Sequence, residues 1–424
     1  MDAIQQPIRH QTHRPQRSAT IIALYVVEAM CSIAGTLLSI GTAFYMKNRF
    51  AWDMRENFML VAGQGIFYVP GALIAGWVTR RLGRGAAIVA AYAVLTVLSL
   101  LAWHLARAEG NSFAVALTLL VYTFVIGISW PIMESLIASG DANGLARRLA
   151  AYNIVWPLAG AAAIAIEGTV ITYWTAGVFL IPAAMHLIAL VLMLPWMWAA
   201  DAPSESGPAA PVRPEPQLLH KRTLALWLSR AALPATYAVI YGLMPLMPFL
   251  STIRPLDTAK QTAVASVWLW ARLLSFIVLA LGSWWHTRPR ILLWAAVVML
   301  AAFFGMTLPP THGRSPAIDL ASMILWQIVL GGALGMIYSA SLYFGMVLSE
   351  GSTEHGGYHE ALIGLGWVIG PVAGVLAQQL RPGEVWAGVA AVGAVISLSV
   401  LIVLAIAVLM GRADATIEGG AKLE

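Results

Sequence analysis

The chain has 424 residues, of which 59% are hydrophobic and 11% are charged. Soluble domains carry about 25% charged residues, so this composition excludes an ordinary soluble protein and indicates that lipid surrounds much of the chain. The net charge of +5 comes from basic residues scattered between apolar runs, which argues against a nucleic-acid partner, and a single cysteine, Cys31, excludes a disulfide framework.

Apolar runs long enough to cross a bilayer follow one another along the chain. A spanning helix needs about 20 mainly apolar residues. The sequence predicts twelve of them, at residues 20–46, 57–79, 86–107, 112–138, 149–169, 173–199, 223–250, 259–285, 290–308, 317–348, 360–380 and 385–410. We therefore predict an all-α integral membrane protein.

One long polar segment interrupts this pattern. Residues 201–222 contain five prolines together with Ser and Glu and have no apolar periodicity, so we predict a disordered cytoplasmic linker. It divides the chain into an N-terminal tail at 1–19, a six-helix bundle at 20–200, a second six-helix bundle at 223–411 and a C-terminal tail at 412–424. Lys and Arg are more frequent on the side of the tails, which predicts a cell-membrane protein with both termini in the cytoplasm.

The two halves share a feature. Residues 76–84 and 282–290 each end an apolar run with glycine and a group of basic residues, and each lies between the second and third spans of its half. An internal repeat, with one copy of the same architecture in each half of the chain, is typical of secondary transporters, in which the solute crosses between the two halves.

With these features the chain resembles the major facilitator superfamily. Gly76, Arg80, Gly83 and Arg84 match the loop signature of that family, which implies two pseudo-symmetric six-helix bundles. Thr79 stands where the family has an aspartate that latches the cytoplasmic side of the closed gate. The resemblance therefore implies a weaker latch here, or one built from other residues.

A second pattern lies in the eleventh span. It comprises Gly357, Gly366, Gly370, Pro371 and Gly374. This spacing resembles the glycine-proline motif that proton-driven exporters of the family carry in their fifth span, except that Val375 replaces the last glycine. Small residues at helical spacing allow close helix packing. The alternative is a role in restricting leak during antiport.

Arg272 is the clearest candidate for a substrate-binding residue. It lies 12 positions after Lys260, about 18 Å along the helix and thus near the middle of the bilayer. Trp268 lies one turn away on the same face. We predict a positive charge that faces the central pathway and holds an anionic or hydrogen-bonding substrate; the alternative is a structural arginine paired with a neighbouring helix.

Glu28 is the candidate for coupling to protons. The internal repeat relates Glu28 in the first span to Arg230 in the seventh. Both helices line the cavity in the family, so the resemblance implies that the two side chains approach one another. A buried acid beside an arginine can bind or release a proton as its surroundings change. The alternatives are a static ion pair and a snorkelling side chain.

Basic and acidic residues near the cytoplasmic ends of the spans predict a gate. We expect Arg80, Arg81 and Arg84 of the first half to pair with Glu350, Glu354 and Glu360 of the second, and Arg288 and Arg290 to pair with Glu134 and Asp141. Exposed pairs contribute about 0–1 kcal/mol each, which suits contacts that form and break in every cycle. The alternative is that these charges only set the topology.

No metal site and no cofactor are predicted. His355 and His359 are four residues apart, but the two glycines between them disfavour a helix, and we expect no third ligand near them.

The sequence also lacks the phosphate-binding loop of a primary pump and the nucleophile elbow of a hydrolase, so no enzyme is predicted. We predict a monomeric secondary active transporter that exports a small organic solute by alternating access with protons as the coupling ion. The alternatives are uptake or facilitated diffusion of an organic anion such as a carboxylate, and a transport-inactive sensor or scaffold on the same fold.

Overall fold

The computed structural model describes residues 18–107, 111–139, 144–197, 216–286, 288, 290–308, 315–349 and 353–420. The helices of the first half are α1 (Ser18–Ser39), α2 (Thr42–Phe50), α3 (Met54–Leu82), α4 (Arg84–Ala106), α5 (Ser112–Ala138), α6 (Leu145–Tyr173) and α7 (Gly177–Met197). Those of the second half are α8 (Pro216–Leu243), α9 (Thr258–Ala265), α10 (Val267–Ala280), α11 (Arg290–Thr307), α12 (Pro316–Ser349), α13 (Thr353–Leu380) and α14 (Val385–Gly420).

Within these residues, twelve spans are long and apolar enough to cross a membrane, which confirms the predicted number. The first span ends at Ser39, because the chain turns at Gly41 before the short helix α2. The eighth span consists of α9 and α10, which meet at Ser266 and end at Ala280, five residues before the predicted end.

The C-terminal end of the predicted linker is helical in the structure. Helix α8 begins at Pro216, so residues 216–222 are helical, whereas residues 201–215 lie outside the described residues. Proline is favoured at the first position of a helix, because its fixed φ suits the helix and its missing N–H would have had no partner there. The C-terminal tail likewise begins as helix, since α14 continues to Gly420.

Local sequence explains the turn between α3 and α4. Helix α3 begins with a capping box, in which Asp53 accepts from the Glu56 backbone N–H and Glu56 accepts from the Asp53 N–H. It ends at Gly83, whose φ of +79° allows the next helix to start at once with Arg84. A side chain at this position would be strained, which explains the second glycine of the loop signature.

The helices form two bundles. In the first, α3 packs on α5, α4 on α5 and α7, and α1 on α6 and α7. In the second, α8 packs on α12, α13 and α14, and α12 packs on α10 and α11. The predicted fold class, an all-α membrane protein with two six-helix bundles, is confirmed.

Two seams join the bundles. The first, the glycine seam, is the contact of α3 with α13; a Cβ at Gly65 would lie 2.7 Å from the carbonyl carbon of Trp367, and one at Gly357 would lie 2.8 Å from the Ala72 oxygen. The second, the aromatic seam, is the contact of α6 with α9, α10 and α12. Most of the aromatic side chains around Arg272, described below, lie at this seam.

The interface is closed on one side of the molecule and open on the other. We call the side where α1 begins the terminal face and the side where α1 ends the opposite face. At the opposite face, Lys47 Nζ donates a hydrogen bond of 2.5 Å to the Pro248 carbonyl. Thr258 Oγ1 donates one of 3.1 Å to Asn48 Oδ1, and the Gly168 N–H donates one of 2.9 Å to Thr262 Oγ1. These three bonds link the two bundles there.

At the terminal face a cavity of about 370 Å³ lies between α6, α10 and α12. Its lining includes Asn153, Phe276, Ser283, Trp285 and Tyr343.

Candidate functional site

A buried acidic cluster lies where the two bundles meet. It consists of Glu134 from α5 and of His359 and Glu360 from α13, and one ligand atom of each lies within 4.8 Å of the others. All three residues are buried; Glu134 is 1% exposed. One carboxyl group therefore comes from the first bundle and the other from the second.

Each member of this cluster lies within hydrogen-bond distance of a hydroxyl group. Tyr68 donates its phenolic proton to Glu360 Oε2, and Tyr152 donates to Glu134 Oε1 over 3.4 Å. Ser341 Oγ lies 3.1 Å from His359 Nδ1. The second carboxyl oxygen of Glu134 makes no hydrogen bond with any described group.

The approach of α13 to α5 depends on small residues. A Cβ at Gly356 would lie 3.1 Å from Glu134 Oε2, so a larger side chain would push the carboxyl group away. The expectation that Gly356 and Gly357 prevent a helix between His355 and His359 is wrong, because α13 begins at Thr353. The cost of glycine in a helix is about 1 kcal/mol, which close packing against another helix can offset.

Glu28 lies near the acidic cluster but does not pair with Arg230. Its Oε1 accepts from Ser32 over 3.0 Å, and its Oε2 makes no hydrogen bond within the described part of the chain. Glu28 is close enough to Glu360 for the two groups to repel one another when both are charged. The predicted pair is wrong because α1 packs mainly on α6 and α7 of its own bundle, while α8, which carries the half-buried Arg230, packs on α12, α13 and α14.

Arg272 is enclosed by aromatic rings. Its guanidinium carbon lies 4.6 Å from the ring centre of Trp156, 4.8 Å from Tyr338, 5.5 Å from Phe276 and 5.6 Å from Tyr237. The Tyr237 hydroxyl accepts from Arg272 Nη2 over 3.1 Å, whereas Nε makes no hydrogen bond with a described group. A desolvated cation over aromatic faces is stabilised by about 2 kcal/mol or more.

Trp268, expected on the same face as Arg272, is not one of the rings around the guanidinium. It is buried one turn away, and its indole N–H makes no hydrogen bond with a described group. The enclosing rings come from α6, α8, α10 and α12, so three of them lie far from Arg272 in sequence. Sequence spacing along one helix could indicate only Phe276.

The cavity shares one wall residue with the surroundings of this arginine. Phe276 lines the cavity and also lies beside the guanidinium. Tyr338 packs on Trp156 at 5.3 Å and on the His359 ring at 5.3 Å, so the same ring connects the surroundings of Arg272 with the acidic cluster.

The predicted gate is only partly described. Gly76 is buried in α3, Arg80 and Arg81 are exposed at its end, and Arg84 Nη1 donates to Ser139 Oγ over 2.8 Å. Asp141 and Glu350 lie outside the described residues, as does the side chain of Glu354.

The ion pairs predicted between Glu134 and the arginines of the second half, and between Glu360 and the arginines of the first half, are wrong in this conformation. Both carboxyl groups are buried between the bundles and accept from tyrosines, whereas Arg288 and Arg290 are exposed at the terminal face. Neither acid forms an ion pair with a described arginine. The sequence correctly places Glu134 near the end of its helix, but Glu360, predicted at the start of the eleventh span, lies about two turns inside α13, which begins at Thr353.

The glycines of the eleventh span contact two different helices. Gly357 lies against Ala72 and Gly374 against Phe58, both in α3, whereas Gly366 and Gly370 lie against Pro234 and Ala238 in α8. Pro371 is buried beside them. Helix α13 is therefore packed closely on one side within its own bundle and on the other side across the glycine seam.

Sequence reasoning missed Glu167. It is fully buried in α6 near the opposite face, and neither carboxyl oxygen makes a hydrogen bond with a described group. It lies directly against Gly41, where the chain turns between α1 and α2. An acid within the predicted fifth span was the available signal, because ionisable residues in spans are rare and usually functional.

Two bundles of spanning helices, a cavity between them and a buried polar cluster at their interface define a membrane transport protein. The sequence profile of the Major Facilitator Superfamily matches residues 24–355, so the chain belongs to this family and carries a solute across a membrane. The resemblance stated from the loop signature is therefore confirmed. No curated relative matches the chain.

Solved structures share this fold. The chain is similar to a crystal structure of the nucleoside transporter NupG, with a TM-score of 0.65 and 12% identity over 91% of this chain and 98% of that one. It is also similar to a mutant of the same transporter, with a TM-score of 0.68 and 12% identity over 91% of this chain and 99% of that one. At this identity the likeness supports the fold alone.

Proposed function

We propose that this protein is a secondary active transporter that exports a small organic solute in exchange for protons by alternating access. The observation that carries the proposal is the buried pair of Glu134 and Glu360, one from each bundle, next to the ring-enclosed Arg272. Ionisable groups inside a membrane protein are costly to bury and commonly mark proton or substrate pathways.

The acidic pair is suited to carrying a proton. Two carboxyl groups within 4.8 Å in a buried site repel one another when both are charged, so a proton shared by the pair stabilises the contact. Tyr68 and Tyr152 hold the two groups in place. Because the groups belong to different bundles, rocking of the bundles separates them and changes their affinity for the proton. The charge of Glu360 acts on Glu28, and we propose that Glu28 takes part in this exchange.

The solute site is proposed beside Arg272. The cavity of about 370 Å³ is within the range of small-molecule pockets. Its aromatic wall at Phe276 suits a solute with a flat ring or an apolar body. The guanidinium is buried beyond that wall, and we propose that its Nε becomes a hydrogen-bond donor to the solute when Phe276 moves aside. Solute and proton would then bind to neighbouring parts of one interface, which is the arrangement that obligatory exchange needs.

The described conformation is one end of the proposed cycle. The opposite face is closed by bonds between the bundles, and the cavity lies at the terminal face. In the other end state, the contacts at the opposite face separate and the aromatic seam closes at the terminal face. With both termini in the cytoplasm, as the basic residues predict, protons would enter as the solute leaves the cell.

Uptake of an organic anion is the second candidate. It is favoured by Arg272 itself, because this buried guanidinium forms no ion pair with a described carboxylate. A carboxylate solute would supply the missing negative charge through a charge-assisted pair with Nε and a terminal nitrogen.

Flux into proteoliposomes under an imposed pH gradient tests the proposal. The solutes are nucleosides, aromatic carboxylates, sugars and lipophilic cations, and the variants are Glu134→Gln and Glu360→Gln. We expect gradient-driven flux of at least one solute in the wild type and its loss in both variants. Glu384→Gln is the matched control, because Glu384 is exposed and pairs only with Arg381 in the described chain.

The result against the proposal is wild-type flux that is equal with and without the gradient. Flux of carboxylates alone, in the direction of proton movement, would favour the second candidate. Absence of flux with every solute would favour a sensor or scaffold.

A further inference from the structure

We infer that a second cavity, at the opposite face of the first bundle, binds the phosphate group of an anionic lipid. The cavity has a volume of about 320 Å³ and lies between α2, the end of α4 and the start of α7. Lipid binding at this cavity is independent of the proposed proton exchange, and it is measured at equilibrium without transport.

Two arginines give this cavity a positive wall. Arg49 of α2 and Arg107 at the end of α4 both line it, and its described lining residues include no carboxylate. Neither guanidinium forms an ion pair or a hydrogen bond with a described group. Two positive charges on one wall repel each other, and an anion bound between them removes this repulsion. The cavity therefore favours a negatively charged occupant.

Aromatic rings leave the donors of both arginines available. The guanidinium carbon of Arg107 lies 5.3 Å from the ring centre of Trp103, and that of Arg49 lies 5.9 Å from the ring centre of Phe50. A guanidinium beside a ring keeps the planar fork of N–H donors that matches a phosphate group. Tyr45 adds a hydroxyl in the same wall, and it makes no hydrogen bond with a described group.

The cavity lies at the level where lipid headgroups are expected. It is at the ends of spanning helices, and Tyr173 and Trp174 are exposed just before α7, as is typical of the interface between bilayer and water. Leu100 and Leu101, in the turn of α4 before Trp103, are exposed apolar side chains along which acyl chains can lie. This apolar surface beside a basic cavity favours a lipid over free inorganic phosphate.

A bound lipid would contact the helix that closes the opposite face. Helix α2 carries Arg49 and, two residues earlier, Lys47, which donates to the Pro248 carbonyl of the second bundle. Lys47 Nζ also lies 4.8 Å from the ring centre of Phe249. A phosphate held by Arg49 and Arg107 would fix α2 in the position in which Lys47 links the bundles. The lipid should therefore stabilise the closed opposite face.

The test is lipid binding by the full-length protein in nonionic detergent, measured by titration in native mass spectrometry. The lipids are anionic phosphatidylglycerol and zwitterionic phosphatidylcholine, and inorganic phosphate is added as a competitor. We expect one phosphatidylglycerol to bind more tightly than any phosphatidylcholine. Its affinity should fall about 10-fold in Arg49→Gln and in Arg107→Gln, because each loses a charge-assisted contact. Arg55→Gln is the matched control, since Arg55 is exposed at the same face but does not line the cavity.

Two milder variants distinguish a specific site from attraction to net charge. Arg107→Lys keeps the charge and loses the planar fork, and Tyr45→Phe keeps the ring that packs on Phe179 at 5.0 Å and loses the hydroxyl. We expect each to lower the affinity for phosphatidylglycerol about 3-fold. Size-exclusion profiles and thermal unfolding show whether every variant is folded.

Equal affinities for the two lipids would overturn the inference, as would wild-type affinity in a variant that combines Arg49→Gln with Arg107→Gln. A loss in Arg55→Gln as large as in Arg107→Gln would also overturn it, because net charge alone would then explain the binding. Displacement of phosphatidylglycerol by an equal concentration of inorganic phosphate would assign the site to free phosphate and contradict the assignment to lipid.

Discussion

The glycine seam and the aromatic seam join the same two bundles in different ways. In the glycine seam, backbone atoms of α3 and α13 nearly touch at Gly65 and Gly357, so no solute fits between them. At the aromatic seam, Arg272 is surrounded by rings from α6, α10 and α12 and by one ring from the adjoining α8, beside a cavity of about 370 Å³. In the proposed cycle, the bundles therefore pivot along the first seam and the solute passes along the second.

The acidic cluster lies where the two seams meet. Tyr68 of α3 donates to Glu360 of α13 within the glycine seam, and Tyr338, which packs on His359, belongs to the group of rings around Arg272. A change in the contact between the carboxyl groups would therefore reach both the proposed pivot and the proposed solute site through direct contacts.

The largest effect is expected from filling the glycine seam. In Gly65→Ala the new Cβ would lie 2.7 Å from the backbone of Trp367, which cannot move without shifting α13. Overpacking of this kind costs about 1–3 kcal/mol, so we expect a lower Tm and strongly reduced flux. Gly332→Ala in α12 is the matched control, since a Cβ there meets no atom within 4 Å. Equal Tm values for the two variants would mean that the glycine seam is not tightly packed.

The next effect tests the aromatic seam. Arg272→Lys keeps the charge but loses the flat guanidinium that lies between Trp156 and Tyr338. We expect kcat/KM for the transported solute to fall about 10- to 30-fold, which corresponds to roughly 1.4–2 kcal/mol. Arg381→Lys, at an exposed ion pair with Glu384, should leave the rate unchanged. Unchanged kcat/KM in Arg272→Lys would remove the arginine from the solute pathway.

A smaller effect is expected where the aromatic seam reaches the opposite face. Glu167→Gln keeps the shape of a fully buried side chain and removes an ionisable group whose oxygens make no hydrogen bond with a described group. We expect the closed opposite face to become more stable by about 1 kcal/mol, with a rise in Tm of roughly 2 °C. Thermal unfolding in detergent checks this. A clear fall in Tm would show that the carboxylate has a binding partner that glutamine cannot replace.

The smallest effect concerns the start of α9, also at the opposite face. Asp257 caps this helix by accepting from the Lys260 N–H, and the hydrogen bonds and charge of Lys260 lower the pKa of Asp257. The ionised cap therefore stabilises the helix above the ordinary pKa of aspartate and loses this effect as the pH falls through the lowered value. We expect a slightly lower Tm for Asp257→Ala at pH 7 and a smaller decrease for Asp257→Asn, which keeps the cap but loses the charge that pairs with Lys260. Equal Tm values for Asp257→Ala and the wild type would mean that the cap does not stabilise the opposite face.

The sequence predicts the fold well because lipid imposes a strong pattern. Twelve apolar runs, the break after the sixth span and Gly83 between α3 and α4 all follow from local requirements: span length, polarity and backbone conformation. The start of α13 was missed for a non-local reason. Gly356 and Gly357 weaken a helix in isolation, but their small size allows contact with Glu134 and Ala72 of the other bundle.

The site was predicted only in part for the same reason. Burial of Arg272 follows from its depth in the span, whereas three of the four rings around it come from other helices. Glu28 was expected beside Arg230 because the internal repeat relates them, yet symmetry relates positions without bringing them into contact. The pairing of Glu134 with Glu360 depends on the crossing of α5 and α13, which no spacing in the sequence indicates.

Alternating access along the aromatic seam is tested most directly by distances between spin labels on the two faces. In a Cys31→Ala background, one pair is placed at Asn48 and Thr258 at the opposite face, and another at Arg147 and Ser283, which line the cavity at the terminal face. On changing from pH 8 to pH 5 with a transported solute present, we predict that one distance lengthens while the other shortens. Two distances that stay constant, or that lengthen together, would contradict the account.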